Sequence, residues 1–209
     1  MICLAGGAAA LQYVFEKKRR QGLAEAALRL GLEFSPADPG LAREGFSDFP
    51  FFRVGHSRQF SNVLRGKLDG GAEQFVFDYS YVTGSGKNRH TYRQTVAAFR
   101  ADNLGLPAFE LRPENILHKV GGLFGYQDID FAASPDFSGK YLLRGKEETA
   151  VRDLFDAAIL NHFSLHPGWR VEGYGDWLAV CREKRRVDPE GLRTFLDGTR
   201  TTLCAFRNR

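Results

Sequence analysis

The sequence is poor in cysteine, methionine and tryptophan, and it has no apolar run long enough to cross a bilayer. Its three cysteines, Cys3, Cys181 and Cys204, form neither a C-x-x-C pair nor an even framework. That suits a reducing compartment and argues against a disulfide-stapled secreted domain, although spacing alone leaves a Cys181–Cys204 bridge open. Both Cys181 and Cys204 read as core residues. No G-x-S-x-G elbow supports a serine nucleophile, and no RNP1-type pattern supports RNA stacking. Neither an internal repeat nor a low-complexity tract occurs. No motif calls for a cofactor.

The chain has 209 residues, 43% of them hydrophobic and 26% charged, which is ordinary globular usage. Phenylalanine occurs 18 times against one methionine, so the core is built from rigid rings that suit strands as well as helices. The net charge of +4 is unevenly placed: residues 51–112 hold nine basic and five acidic side chains, and the rest of the chain balances. Such a local surplus either attracts anions or simply solvates one face.

Met1 to Phe15 reads MICLAGGAAALQYVF, and Lys17, Lys18, Arg19 and Arg20 follow. Positive charge after an apolar stretch holds its own side in the cytoplasm, and a secretory signal carries it before. Fifteen helical residues span about 22 Å, against a hydrocarbon core of about 30 Å. Three readings stay open: the tail of a transmembrane helix, an interfacial helix, or a core helix running on through Leu23, Ala26, Ala27 and Leu30 to Gly31. The expected organisation is an N-terminal helical segment over 1–34, a Pro- and Gly-containing linker over 35–50, and one soluble domain over 51–209.

Within that domain, strands are expected at 60–68, 74–83, 89–100 and 108–111. In the second, Phe75, Phe77, Tyr79 and Tyr81 alternate with Gln74, Asp78 and Ser80. A short helix opens at Pro113, a short strand covers 129–131, and a further strand covers 140–144. The periodicity of Val151, Leu154, Phe155, Ala158, Ile159 and Phe163 predicts one helix. A hairpin turns at Tyr174-Gly175-Asp176, and Asp188-Pro189 starts a last helix carrying Leu192, Phe195, Leu196 and Leu203. Strands joined by hairpins rather than βα crossovers give an α+β fold, with an antiparallel sheet and helices packed on one face.

Four constellations are candidates for chemistry. Thr83-Gly84-Ser85-Gly86-Lys87-Asn88 resembles the end of a P-loop, but the first glycine is replaced by Tyr81 and the hydroxyl after lysine by Asn88. It reads instead as a hairpin turn. Around it, Ser85, Lys87, Asn88, Arg89, His90 and Arg93 form a basic, hydrogen-bonding surface with no acid between Asp78 and Asp102. This suits a phosphate, a lipid headgroup or an acidic partner, or else it only keeps an exposed hairpin soluble. His162 and His166 share a helix face but lack the glutamate of H-E-x-x-H, so no metal site is expected. Asp128 and Asp130 could point the same way from a strand.

The stretches FFRVGHSRQFSNVLRG, FDYSYVTGSGKNRHTYRQTV, SPDFSGKYLLRG and VEGYGDWLAVCREKRRVDPEGL resemble a family of uncharacterised bacterial proteins. Its members pair an N-terminal membrane helix with a domain of unknown function. The resemblance covers roughly residues 12–206. It implies bacterial origin and membrane association, and it carries no catalytic residues. Together these observations point to a non-enzymatic binding domain at the inner membrane, on the cytoplasmic side. Lys17 to Arg20 lie next to the bilayer, and the partner is a membrane surface, a membrane protein or an anionic ligand. The alternatives are an enzyme holding an anionic, phosphate-containing substrate at the hairpin and, more weakly, an RNA-binding protein.

Overall fold

A computed structural model describes residues 2–37, 40, 49–114 and 128–207, with side chains from residue 10 onward. The chain opens with helix α1 (Ile2–Leu30), and strand β1 (Glu33–Ser35) follows at once. A single 3-10 turn, Pro50–Arg53, leads into a meander of β2 (His56–Lys67), β3 (Glu73–Thr83) and β4 (His90–Arg100). Then come β5 (Leu106–Pro113), α2 (Pro135–Ser138), β6 (Tyr141–Gly145), α3 (Glu148–Leu154) and α4 (Ala157–Leu165). Strands β7 (Arg170–Gly175) and β8 (Trp177–Cys181) and helix α5 (Leu192–Arg207) complete the chain. The α+β class is the one expected from the sequence.

Among the described residues, eight strands form one antiparallel sheet in the order β1-β2-β3-β4-β8-β7-β5-β6. The late hairpin β7–β8 is therefore inserted between β4 and β5. Alternation along β3 assigns the two faces. Phe75, Phe77, Tyr79 and Tyr81 join Val63, Val96 and Ala98 on one face, which Phe49, Phe51 and Phe52 cover. The Phe52 ring meets Tyr79 edge-on at 5.0 Å between centroids, a favoured aromatic geometry. On the other face, Val76, Ala97, Phe99, Val171 and Val180 pack under the helices. Leu23, Ala26 and Ala27 bring α1 into that core, and Leu192, Leu196, Leu203 and Phe206 bring α5.

At the tip of the β3–β4 hairpin the chain makes a short 3-10 turn, Gly86–Asn88. Gly84 sits there at φ +69°, and a Cβ on it would collide with the Asn88 carbonyl oxygen, so glycine is required.

Several local expectations differ from what is seen. The stripe from Val151 to Phe163 is two helices, not one. Phe155 and Asp156 leave the helical path, and the Asp156 carboxylate accepts from the Ile159 backbone N–H at 2.9 Å, capping α4. Val151, Leu154, Phe155, Ile159 and Phe163 of the expected stripe stay in the core across the break, whereas Ala158 is exposed and Leu160 is buried instead. Asp156→Ala should lower stability by about 1 kcal/mol, read as a shift in the denaturant midpoint with unchanged slope. Residues 129–131 do not form a strand; they run as irregular chain beside the edge strand β6, where the Ile129 N–H donates to Leu143 O. Cys204 is exposed rather than core, and both Cys181 and Cys204 are free thiols. Pro113 ends β5 rather than opening a helix, the Glu114 N–H donates to Lys140 O at 2.9 Å, and the expected helix from residue 115 onward lies outside the described residues. So does most of the expected linker over 35–50, whose first residue, Ser35, closes β1 and whose Phe49 is buried.

Candidate functional site

Helix α1 presents Glu16, Arg19, Leu23, Ala26 and Ala27 to the sheet, a three-and-four spacing that keeps one face inward. The first two are polar because of what lies beneath them. Asp78 projects from the middle of β3 on the helix-facing side. It takes a two-pronged bond from Arg19, with Nε at 2.8 Å and Nη2 at 2.7 Å from its two oxygens. Arg186 donates from Nη2 at 3.0 Å and Asn62 from Nδ2 at 2.9 Å, and the Thr95 hydroxyl donates at 3.1 Å. Arg186 in turn forks onto Glu16 at 2.7 and 2.8 Å. Burial pushes the Asp78 carboxyl upward, but Arg19, Arg186 and Asn62 outweigh it and hold the group below its ordinary value. The bond from Arg186 likewise holds Glu16 down.

A groove of about 380 Å³ opens beside this cluster, between α1 and the outer ends of β2, β3 and β4. Arg20 enters it from α1, Arg89 and Arg93 from the hairpin, and Arg186 from the back, with Ser57 and Gln59 on the β2 side. Four arginines and two acids line it. Both acids are taken by Arg19 and Arg186. Arg20, Arg89 and Arg93 make no ion pair among the described residues. The groove therefore offers three guanidinium groups, with hydroxyls and amides, to an anion.

The residues singled out from the sequence are distributed unevenly around this groove. Arg89 and Arg93 line it, whereas Ser85, Lys87, Asn88 and His90 stand exposed on the hairpin outside it. In the basic run of α1, Arg20 lines the groove, Lys17 and Lys18 face outward, and Arg19 is spent on Asp78 with its side chain 11% exposed. Arg19 is thus a structural anchor and does not join the outward-facing charges, because the helix turns it toward the sheet. Asp78, Glu16 and Arg186 were not singled out. Asp78 left a trace only in the polar side of the β3 alternation, and Glu16 and Arg186 left none.

The other candidates are structural in place. His162 and His166 lie 5.1 Å apart between ring centroids, and His162 Nε2 is 3.2 Å from the Thr202 hydroxyl. Burial, then His166, lowers the His162 pKa. Among the described residues no group of three or more His, Cys, Asp or Glu is placed to hold a metal ion. Asp128 accepts from the Leu143 N–H at 3.0 Å, while Asp130 offers only its carbonyl, to Arg152 at 2.7 Å.

A second charged cluster lies on the aromatic face. Arg170 is bonded to Glu110 at 2.5 Å and to Glu172 at 2.7 Å, with Glu183 3.5 Å away. Arg112 stands 3.6 Å from Glu110 and 3.5 Å from Glu183. The Phe51 N–H donates to Glu172, and its ring lies 4.4 Å from the Arg170 guanidinium carbon. This cluster ties the 3-10 turn over the sheet.

Comparison with known proteins gives a match in fold. No protein-family model matches the chain, and no curated protein matches it in sequence. A solved structure, the mycobacterial trehalose monomycolate transport factor A, superposes with a TM-score of 0.65 at 14% identity, over 92% of this chain and 93% of that one. At that identity the likeness shows a shared fold.

Proposed function

We propose that this chain is a bacterial, membrane-tethered, non-enzymatic binding domain whose cationic groove takes anionic headgroups at the cytoplasmic surface of the inner membrane. The observation that carries this reading is the continuity of α1 with the groove. Leu11, Tyr13, Val14 and Phe15, grouped within five positions of α1, are 60–70% exposed, and within two turns the same helix delivers Arg20 to the groove rim. Exposed apolar side chains in such a group mark a surface that meets something apolar. Basic residues just beyond an apolar helix are drawn to anionic lipid. Lys17 and Lys18 add to that charge.

Ile2–Phe15 rises about 21 Å along the helix, against a hydrocarbon core of about 30 Å. Among the described residues no helix is long and apolar enough to cross a membrane. In this reading the apolar end of α1 lies in the bilayer and the groove is held at headgroup level. The fold shared with a transport factor supports a binding role over catalysis.

Cell fractionation tests the tether. The native chain should sediment with membranes, and Leu11→Glu with Phe15→Glu, both at exposed positions, should release it without lowering its melting temperature. Equal sedimentation of the native and doubly substituted chains would overturn the tether.

A further inference from the structure

On the sheet face away from the helices, far from the groove, lies a cavity of about 230 Å³. Phe49 and Pro50 form one wall, and Ala108 and Tyr174 contribute side chains from β5 and β7. Beside it the small Ala108 lies in the irregular part of β5 between Leu106 and Phe109. The cavity has room for about eight groups the size of a water molecule.

The charges around it are unequal. Arg53, Arg144 and Lys146 line it together with one acid, Glu110. That acid is already occupied, since it accepts from Arg170 and faces Arg112. Arg144 lies directly across from Glu110 in the strand register, yet its buried Nε has no hydrogen-bond partner. Arg144 lines the cavity and makes no ion pair among the described residues, so its positive charge is available to an incoming anion. Lys146 stands exposed at the mouth.

We infer that this cavity binds a single-chain amphiphile with one anionic head. The chain lies against Phe49, Pro50 and Ala108, and the head sits on Arg144 and Lys146. Apolar lining with a few convergent polar groups is the usual make-up of a small-molecule site. The inference is independent of the groove and of the tether.

Calorimetric titration with octanoate and with octyl phosphate, using octanol as the uncharged control, tests it on the full chain. Both anions should bind saturably, and the tighter of the two identifies the head. Ala108→Leu fills the space and should weaken both by about tenfold or more. Lys146→Glu, at an exposed position that leaves the fold intact, should weaken both anions by about fivefold and leave octanol unchanged. Arg89→Gln with Arg93→Gln, on the far groove, should change nothing. Absence of saturable binding, or binding indifferent to Lys146→Glu, overturns the inference. Should Ala108→Leu fail to fold in a thermal melt, the Lys146→Glu comparison alone decides.

Discussion

Arg170→Met is expected to destabilise the fold by about 3–5 kcal/mol, the usual cost of removing one partner from a buried ion pair. Arg170 stands among three carboxylates, Glu110, Glu172 and Glu183. All are buried, as is Arg112, the other cation of the cluster. Without Arg170, three acids share one arginine in a low-dielectric setting. Phe51 also loses the guanidinium its ring stacks on. The loss should depend on pH in a definite direction. Burial pushes Glu172 up to about 7, against the pull of Arg170. A carboxyl raised in the folded state binds its proton more tightly there, so its contribution favours folding most at acid pH. That contribution fades as pH rises from the ordinary value of 4.5 to about 7. Removing the cation raises Glu172 further and extends the decline above 7. Urea denaturation at pH 5 and pH 8 should therefore show the larger deficit at pH 8. An equal deficit at both would contradict this account of the cluster.

Asp78→Ala should cost about 3 kcal/mol, the low end of the same range. Arg19, left without its carboxylate, keeps 11% side-chain exposure and so some solvent screening, and Arg186 keeps its two bonds to Glu16. Asp78 is the point where α1, β2, β4 and the segment before α5 meet, through Arg19, Asn62, Thr95 and Arg186. Loosening should begin in α1. Amide exchange across Leu23 to Leu30 should accelerate more than exchange in β7 and β8. The folded carboxyl lies below its ordinary 3.8. Its stabilisation is therefore complete above that value and is lost as pH falls through the lower, folded value. Native and variant stabilities should converge only in strong acid. A uniform acceleration of exchange across the sheet would contradict a role for Asp78 in pinning α1.

Part of this was legible in the residues. The aromatic alternation of β3 and the Gly-rich turn announced the central hairpin because period-two patterning and a glycine at positive φ are local properties. The break at Asp156 was not, since the apolar spacing continues in phase through it. The insertion of β7–β8 beside β4 is a long-range choice that hairpin signals do not encode. The same limit applied to the site. Arg20, Arg89 and Arg93 stood out as cations, but their convergence depends on Arg19 reaching Asp78 across 59 positions of sequence. Glu110, Arg112, Arg170 and Glu172 show a charged alternation that ordinarily faces water. They are 2–5% exposed because Phe49 to Val54 fold over them, and nothing local in the strands foretells that cover.

The central claim is that the apolar end of α1 and the groove engage one anionic bilayer together. Co-sedimentation of the purified chain with phosphatidylcholine vesicles, with and without phosphatidylserine, measures it directly. Each arginine near an anionic surface contributes about 1 kcal/mol. Arg20→Gln, Arg89→Gln and Arg93→Gln together should then weaken binding to the anionic vesicles by roughly 100-fold. The substitutions should leave the weaker binding to neutral vesicles unchanged. Equal binding of the native chain to both vesicle types, or a triple variant that binds anionic vesicles as the native chain does, would contradict the claim.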